Sequence, residues 1–476
     1  MNRGFRHGHD LLWKKGPSRF HDQSVSLCRH CPSWQTRAVQ TDATRNGISD
    51  FESASGGGVI VKMLRLAGAC AVVIGLCPGH GVASAAEPLP DDPAALFQQT
   101  LAATRMPVAL RDGHLSGPGA AFLEARANES QFVLVGEEHG VADIASTVRA
   151  LLAGIGPLGY RHLAIEVDPW TTAKLETMLR QGGTAALAAY LARDDAKLSL
   201  PFYNWSTEAA LAQAAVHANG EAPPALWGLD QLFIGAAGPL LADIAAGATN
   251  AHARALAQTL AARAKGSFEF LGTVELRELQ DLHALLGDEQ DREWAQLAAG
   301  MIESARIYQP FVAGRGLSVH AANLERETLM KRTFLARMHE AEMRDGRMPK
   351  VLFKFGANHM MRGLSPTHVP SLGNFVSEFA LAQGKSAFDL LILCGPGTKA
   401  ADFMGNEVDC EFDVAKAFPD LVAHVDPKTP TLFDLRRWKD RPKQWAHLAP
   451  EVRAMIWAYD ALLFVPGGKP AQPLRP

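Results

Sequence analysis

The chain has 476 residues, 47% hydrophobic and 20% charged, a balance that excludes a low-complexity disordered polymer and an obligate membrane bundle and allows a large buried core. With 47 Lys+Arg against 50 Asp+Glu the formal charge is −3, so no global field draws the protein to nucleic acid or anionic lipid.

In chain order, residues 1–62 show no sustained helical or strand period and read as an untranslated or disordered leader, with Met63 as the start. Cys28 and Cys31 lack a second pair at zinc-site spacing and make a weak metal signal. Residues 63–86 have the layout of a secretory signal: Met63-Leu64-Arg65, an apolar segment from Leu66 to Leu76, and Ala83-Ser84-Ala85-Ala86 before Glu87. The apolar segment is shorter than the roughly 20 residues of a spanning helix, so it is expected to be cleaved, leaving no stable membrane insertion and a periplasmic or secreted protein. Residues 87–476 then carry 37 Lys+Arg against 45 Asp+Glu and two cysteines, Cys394 and Cys410. An oxidising compartment could pair those two; a buried strand thiol and an unrelated loop thiol is the alternative.

Short runs rich in Val, Leu, Ile and Phe then alternate with longer amphipathic stretches, the pattern of buried parallel strands joined by crossover helices. Strands are predicted at 132–135, 162–167, 225–229, 350–355, 388–393 and 461–465. Between Gly235 and about Arg347 Ala, Leu, Arg and Glu dominate, predicting consecutive helices inserted between two strands as a cap over a sheet end. The expected class is α/β, a mostly parallel central sheet flanked by helices, with one domain over 87–466 and a flexible tail at 467–476.

The polar residues cluster at predicted strand ends, the edge where open α/β sheets bind ligands. Gly136, Glu137, Glu138, His139 and Gly140 follow the first strand. Glu166 closes the second, Asp230 and Gln231 the third, and Gly356, Asn358 and His359 the fourth. Each has a plainer explanation: a histidine packing at a helix start, Asp230 capping a helix, Glu137 or Glu138 complementing a helix dipole, Arg326 pairing with an acid. Four such ends with histidines from distant segments point to a site.

These motifs, GEEHG, LAIEV, GLDQ, Arg326-Glu327 with Met330, GANHM and YDALLF, together resemble the erythromycin esterase-like superfamily, which includes the ChaN-like haem-binding lipoproteins and the TraB/Tiki proteins. The resemblance implies His139 as general base on water, with Glu137, Glu166, Arg326 and His359 in support; Glu138, Asp230 and Asn358, at the same strand ends, are the candidate substrate-contacting residues. A single residue separates Glu137 from His139, the ChaN-like spacing. The implied activity is hydrolysis of an ester, lactone or amide in a small-molecule or peptide substrate, with no cofactor demanded. Two alternatives stay open: a divalent-metal hydrolase of TraB/Tiki type using His139, His359, Glu137 and Glu166 as ligands, and a non-catalytic haem binder of ChaN type.

Overall fold

The computed structural model describes residues 92–475 apart from 222 and 223. The leader, the secretory signal and the Cys28/Cys31 pair lie outside the described residues. Eight strands form the central sheet: β1 (Arg105–Pro107), β2 (Phe132–Glu137), β3 (Tyr160–Ile165), β4 (Leu226–Gly228), β5 (Lys350–Gly356), β6 (Ala387–Cys394), β7 (Thr431–Asp434) and β8 (Ala461–Val465). Their spatial order is β1-β7-β8-β6-β2-β5-β3-β4. The six strands from β8 to β4 are parallel, whereas β7 runs antiparallel to β8 and β1 to β7.

Because side chains alternate along a strand, β2 divides its apolar residues between two layers. Val133 and Val135 join the core with Ile144, Val148 and Leu152 of the Ala142–Ile155 helix. Phe132 and Leu134 join the opposite core with Phe334 of the Val319–Asp345 helix and Val376 of the Leu372–Ala382 helix. Burial on both faces is why these strands read as continuous apolar runs.

The predicted insertion is helical throughout, running from Ala237–Gly247 to Val319–Asp345 without a strand among its described residues. It has its own core, including Leu241, Ile244, Leu260, Leu282, Leu297 and Met301. Trp170, just after β3, and Leu232, just after β4, pack into that core, so the insertion sits on the carboxyl ends of these strands. The last insertion helix serves two layers: Arg326 reaches the sheet edge while Met330, Phe334 and Met338 enter the sheet core. No described helix is long and apolar enough to cross a membrane.

The chain end departs from the expectation of a flexible tail. The tail is docked: Lys469 N–H donates to Asp143 Oδ2 (2.8 Å), Ala471 N–H to the Gly140 carbonyl (2.8 Å), and Leu474 N–H to the Asn204 carbonyl (2.7 Å). Its prolines suit this role, because a strand-like segment paired along one side can spare the missing N–H groups. Cys394 and Cys410 form a disulfide, closing a loop that contains the Lys399–Ala401/Glu407–Asp409 hairpin. Replacing Cys394 with serine is expected to cost about 3 kcal/mol of stability, by the loop-entropy argument for a closed loop of this size; denaturant unfolding of the oxidised protein and the variant measures it.

Candidate active site

At the carboxyl end of β2, Glu137 is the last strand residue, and the chain turns through His139 and Gly140 into the Ala142–Ile155 helix. Gly140 has φ of +80° and lies so close to the Ala401 backbone that a Cβ would fall 2.2 Å from its carbonyl oxygen, so only glycine fits. On the neighbouring strand end, β5 delivers Gly356 and a one-turn helix, Ala357–Met360, carrying Asn358 and His359. The buried Tyr459 hydroxyl holds this turn by donating to the Ala357 carbonyl (2.6 Å).

The two imidazoles are mounted alike. His139 Nδ1 donates to Glu137 Oε1 at 3.0 Å, and His359 Nδ1 donates to Glu327 Oε1 at 2.6 Å. Their Nε2 atoms approach opposite oxygens of one carboxylate, Glu166, at 3.5 and 3.3 Å. Glu166 also accepts from Gly356 N–H (2.7 Å) and from Arg326 Nη2 (3.0 Å). Glu166 is therefore the hub on which three other segments converge, through four groups.

Electrostatics follow from the inventory. Glu137, Glu166, Glu208, Asp230 and Glu327 surround two permanent cations, Lys354 and Arg326, so protons on the imidazoles are strongly favoured. Burial works against the charge on His139, but hydrogen bonds to Glu137 and Glu166 and their negative charges prevail and push it up to about 9. Burial and Arg326 oppose a proton on His359, yet Glu166 and Glu327 push it up to about 10. Glu166, despite its burial, is held well below the usual carboxylate range by the two imidazolium groups.

Of the residues expected at the site, Glu137, His139, Glu166, Asp230, Arg326 and His359 come together, and Asn358 lies half-buried on the same turn as His359. Arg326 pairs with two acids: Nε and Nη2 clamp Asp230 at 2.9 and 2.5 Å, and Nη2 also reaches Glu166. The pair positions the guanidinium and leaves Asp230 as its anchor. Glu138 is not at the substrate side. Its carboxylate accepts the N–H groups of Cys394 (3.1 Å) and Phe412 (2.9 Å), fastening the disulfide loop to the strand end, because the side chain after Glu137 must point the other way.

Three contributors escaped the sequence reading. Lys354, on β5, bonds both Glu137 and Glu208; a lysine inside an apolar strand run was the available signal. Glu208, in the alanine-rich Ser206–Asn219 helix, offered none. Phe202 adopts φ of +66° and stacks its ring on His139, centroids 4.2 Å apart. This is a conformation a bulky side chain adopts only where its surroundings impose it.

The donor atoms test the metal alternative. Among the described residues, the acid, imidazole and sulfur donors that gather within 4.8 Å of one another are those of Glu138, Cys394 and Cys410, whose sulfurs are joined to each other; the paired histidines do not form such a set.

Gly356 leaves no room for a side chain beside the reacting groups. A Cβ there would fall 2.8 Å from His139 Nε2 and 3.4 Å from Glu166 Oε2. Gly356→Ala is expected to displace the imidazole in a folded protein and to lower any turnover that depends on it by roughly 10²-fold, as misplacement of reacting groups by about 1 Å does; an activity assay with circular dichroism checks it.

No protein family and no curated protein matches the sequence. Solved structures match the fold. A Bacillus cereus protein superimposes with a TM-score of 0.55 at 12% identity, covering 79% of this chain and 98% of the other. A histidine-to-asparagine mutant of an erythromycin esterase, in its open conformation, gives 0.55 at 14% identity, covering 77% and 98%. A succinoglycan biosynthesis protein gives 0.53 at 14%, covering 80% and 98%. At such identities the likeness is one of fold: the chain shares an α/β fold with these three proteins.

Proposed function

We propose that the protein is a hydrolase that opens an ester, lactone or amide bond in a small-molecule or peptide substrate, with His139 as the base that takes a proton from water. One observation carries this reading: two carboxylate-backed imidazoles aim their Nε2 atoms at a single buried carboxylate on the carboxyl edge of the sheet. A carboxylate on Nδ1 fixes the ring and stabilises the imidazolium formed when Nε2 accepts a proton.

The two histidines divide the labour by their environments. His139 takes the part of the base, because its Nε2 stands farther from the Glu166 carboxylate than that of His359, 3.5 against 3.3 Å, and its side chain is the more exposed of the two, 18% against 13%. His359 remains an imidazolium and, with Arg326, offers positive charge to the oxyanion of a tetrahedral intermediate. The His139–Glu166 contact, the longest around the hub at 3.5 Å, is the one an attacking water would replace. The likeness in fold to an erythromycin esterase supports the reaction class, and the disulfide supports a periplasmic or secreted location. The test is turnover of a panel of esters, lactones and amides by the purified protein at pH 9. Hydrolysis above the buffer rate for at least one class sustains the proposal, and buffer rates throughout overturn it.

A further inference from the structure

Behind the Glu137–His139 pair lies a charged group that plain burial energetics would disfavour. The Lys354 side chain is 4% exposed, and its ammonium touches the Glu137 carboxylate and, at 2.7 Å, the Glu208 carboxylate, each side chain itself almost fully buried. Removing three charges from water costs several kcal/mol per ion before their attraction returns it, and apolar side chains of similar volume serve a core at least as well. Nor is the trio needed to join its elements, since β2 and β5 are already paired along their length and the Ser206–Asn219 helix packs Ala209, Leu211, Ala212 and Ala215 into the core beside the sheet. What it does reach is Glu137 Oε1, the same oxygen that receives Nδ1 of His139.

We propose that Lys354 is a positioning residue for the reaction: shared between Glu137 and Glu208, its ammonium sets both the place of Glu137 Oε1 and the negative charge that oxygen presents to His139. This rests on the reading of His139 as base. Glu208 is the adjustable partner. While ionised, it draws off part of the lysine's charge and adds its own field at His139, so the imidazole holds its proton more firmly. Other groups facing this trio and the imidazole are Glu166 from the end of β3, Tyr203 and the stacked Phe202 from the segment before the Ser206–Asn219 helix, and Glu411 from the disulfide loop.

The signs follow from Coulomb's law. Glu208→Gln removes an anion, leaves the whole ammonium to Glu137, and lowers the pH at which His139 titrates, by roughly half a unit or more. Lys354→Met loses the clamp on Glu137 and is expected to lower kcat by roughly ten- to a hundredfold with little change in KM; Lys354→Arg, keeping the charge, restores most of it. The experiment is a nitrogen-15 NMR titration of His139 in the full-length protein and the Glu208→Gln variant, beside the pH dependence of kcat/KM for both. A downward move of the His139 midpoint together with the rising limb of the kcat/KM profile supports the proposal. Coincident midpoints in two folded proteins overturn it, and Glu208→Gln decides even if Lys354→Met does not fold. Should the NMR midpoint move while the kinetic limb stays, the relay stands and His139 as base is what fails.

Discussion

Substituting His139 with alanine is expected to lower kcat/KM for ester hydrolysis by roughly 10² to 10⁴, the range a positioned general base supplies. The folded state should tolerate the change, because every partner of His139 keeps another. Glu137 still holds Lys354, and Glu166 still holds Gly356, Arg326 and His359. No buried carboxylate is left without a partner, so the fold should survive, with the unfolding midpoint lowered only by the loss of the stabilising contribution that protonated His139 makes near neutral pH. Kinetics on the substrate found in the panel, with denaturant unfolding of the same preparations, separates a lost base from a lost fold.

Glu166→Ala should do both kinds of damage. Its carboxylate is buried and serves Gly356 N–H, Arg326 and two imidazolium groups; breaking such a buried pair from one side costs about 3 kcal/mol or more. Glu166→Gln keeps an acceptor for Gly356 and should lose less. The pH dependence has a definite sign. Glu166 is depressed in the folded state, so its contribution is present above the ordinary carboxylate pKa and disappears as pH falls through the folded value. His139 and His359 are raised, so theirs is complete below about pH 6.5 and is lost as pH rises through about 9 and about 10. The parent protein should therefore weaken from pH 7 to pH 10. The Glu166→Ala variant, lacking the anion that holds both protons, should weaken less over that interval; urea unfolding at several pH values compares them.

The parts of this architecture legible in the sequence are those written in contiguous residues. A strand buried on both faces must be an unbroken apolar run, so β2, β5 and β6 were read to within two residues at each end and β8 at its full length. β1 and β7 went unseen because they have only three and four residues and pair antiparallel beyond β8; so short a segment carries no period. The insertion was legible as helix because no apolar run interrupts its Ala, Leu, Arg and Glu pattern. At the site, acids and histidines that end strands announced themselves by position, whereas Glu208, Phe202 and the docked tail arrive from elements whose approach is set by tertiary packing. The side to which Glu138 turns was likewise invisible, since consecutive carboxylates look equivalent until the strand assigns them opposite directions.

The most direct measurement is the pH dependence of kcat/KM for ester hydrolysis by the parent protein. If His139 must be neutral to accept the proton of water, only about 1% of it is competent at pH 7 when it titrates near 9, and the rate should climb nearly tenfold per pH unit before levelling at about pH 9. A profile that is flat or falling between pH 7 and 9 would contradict the account.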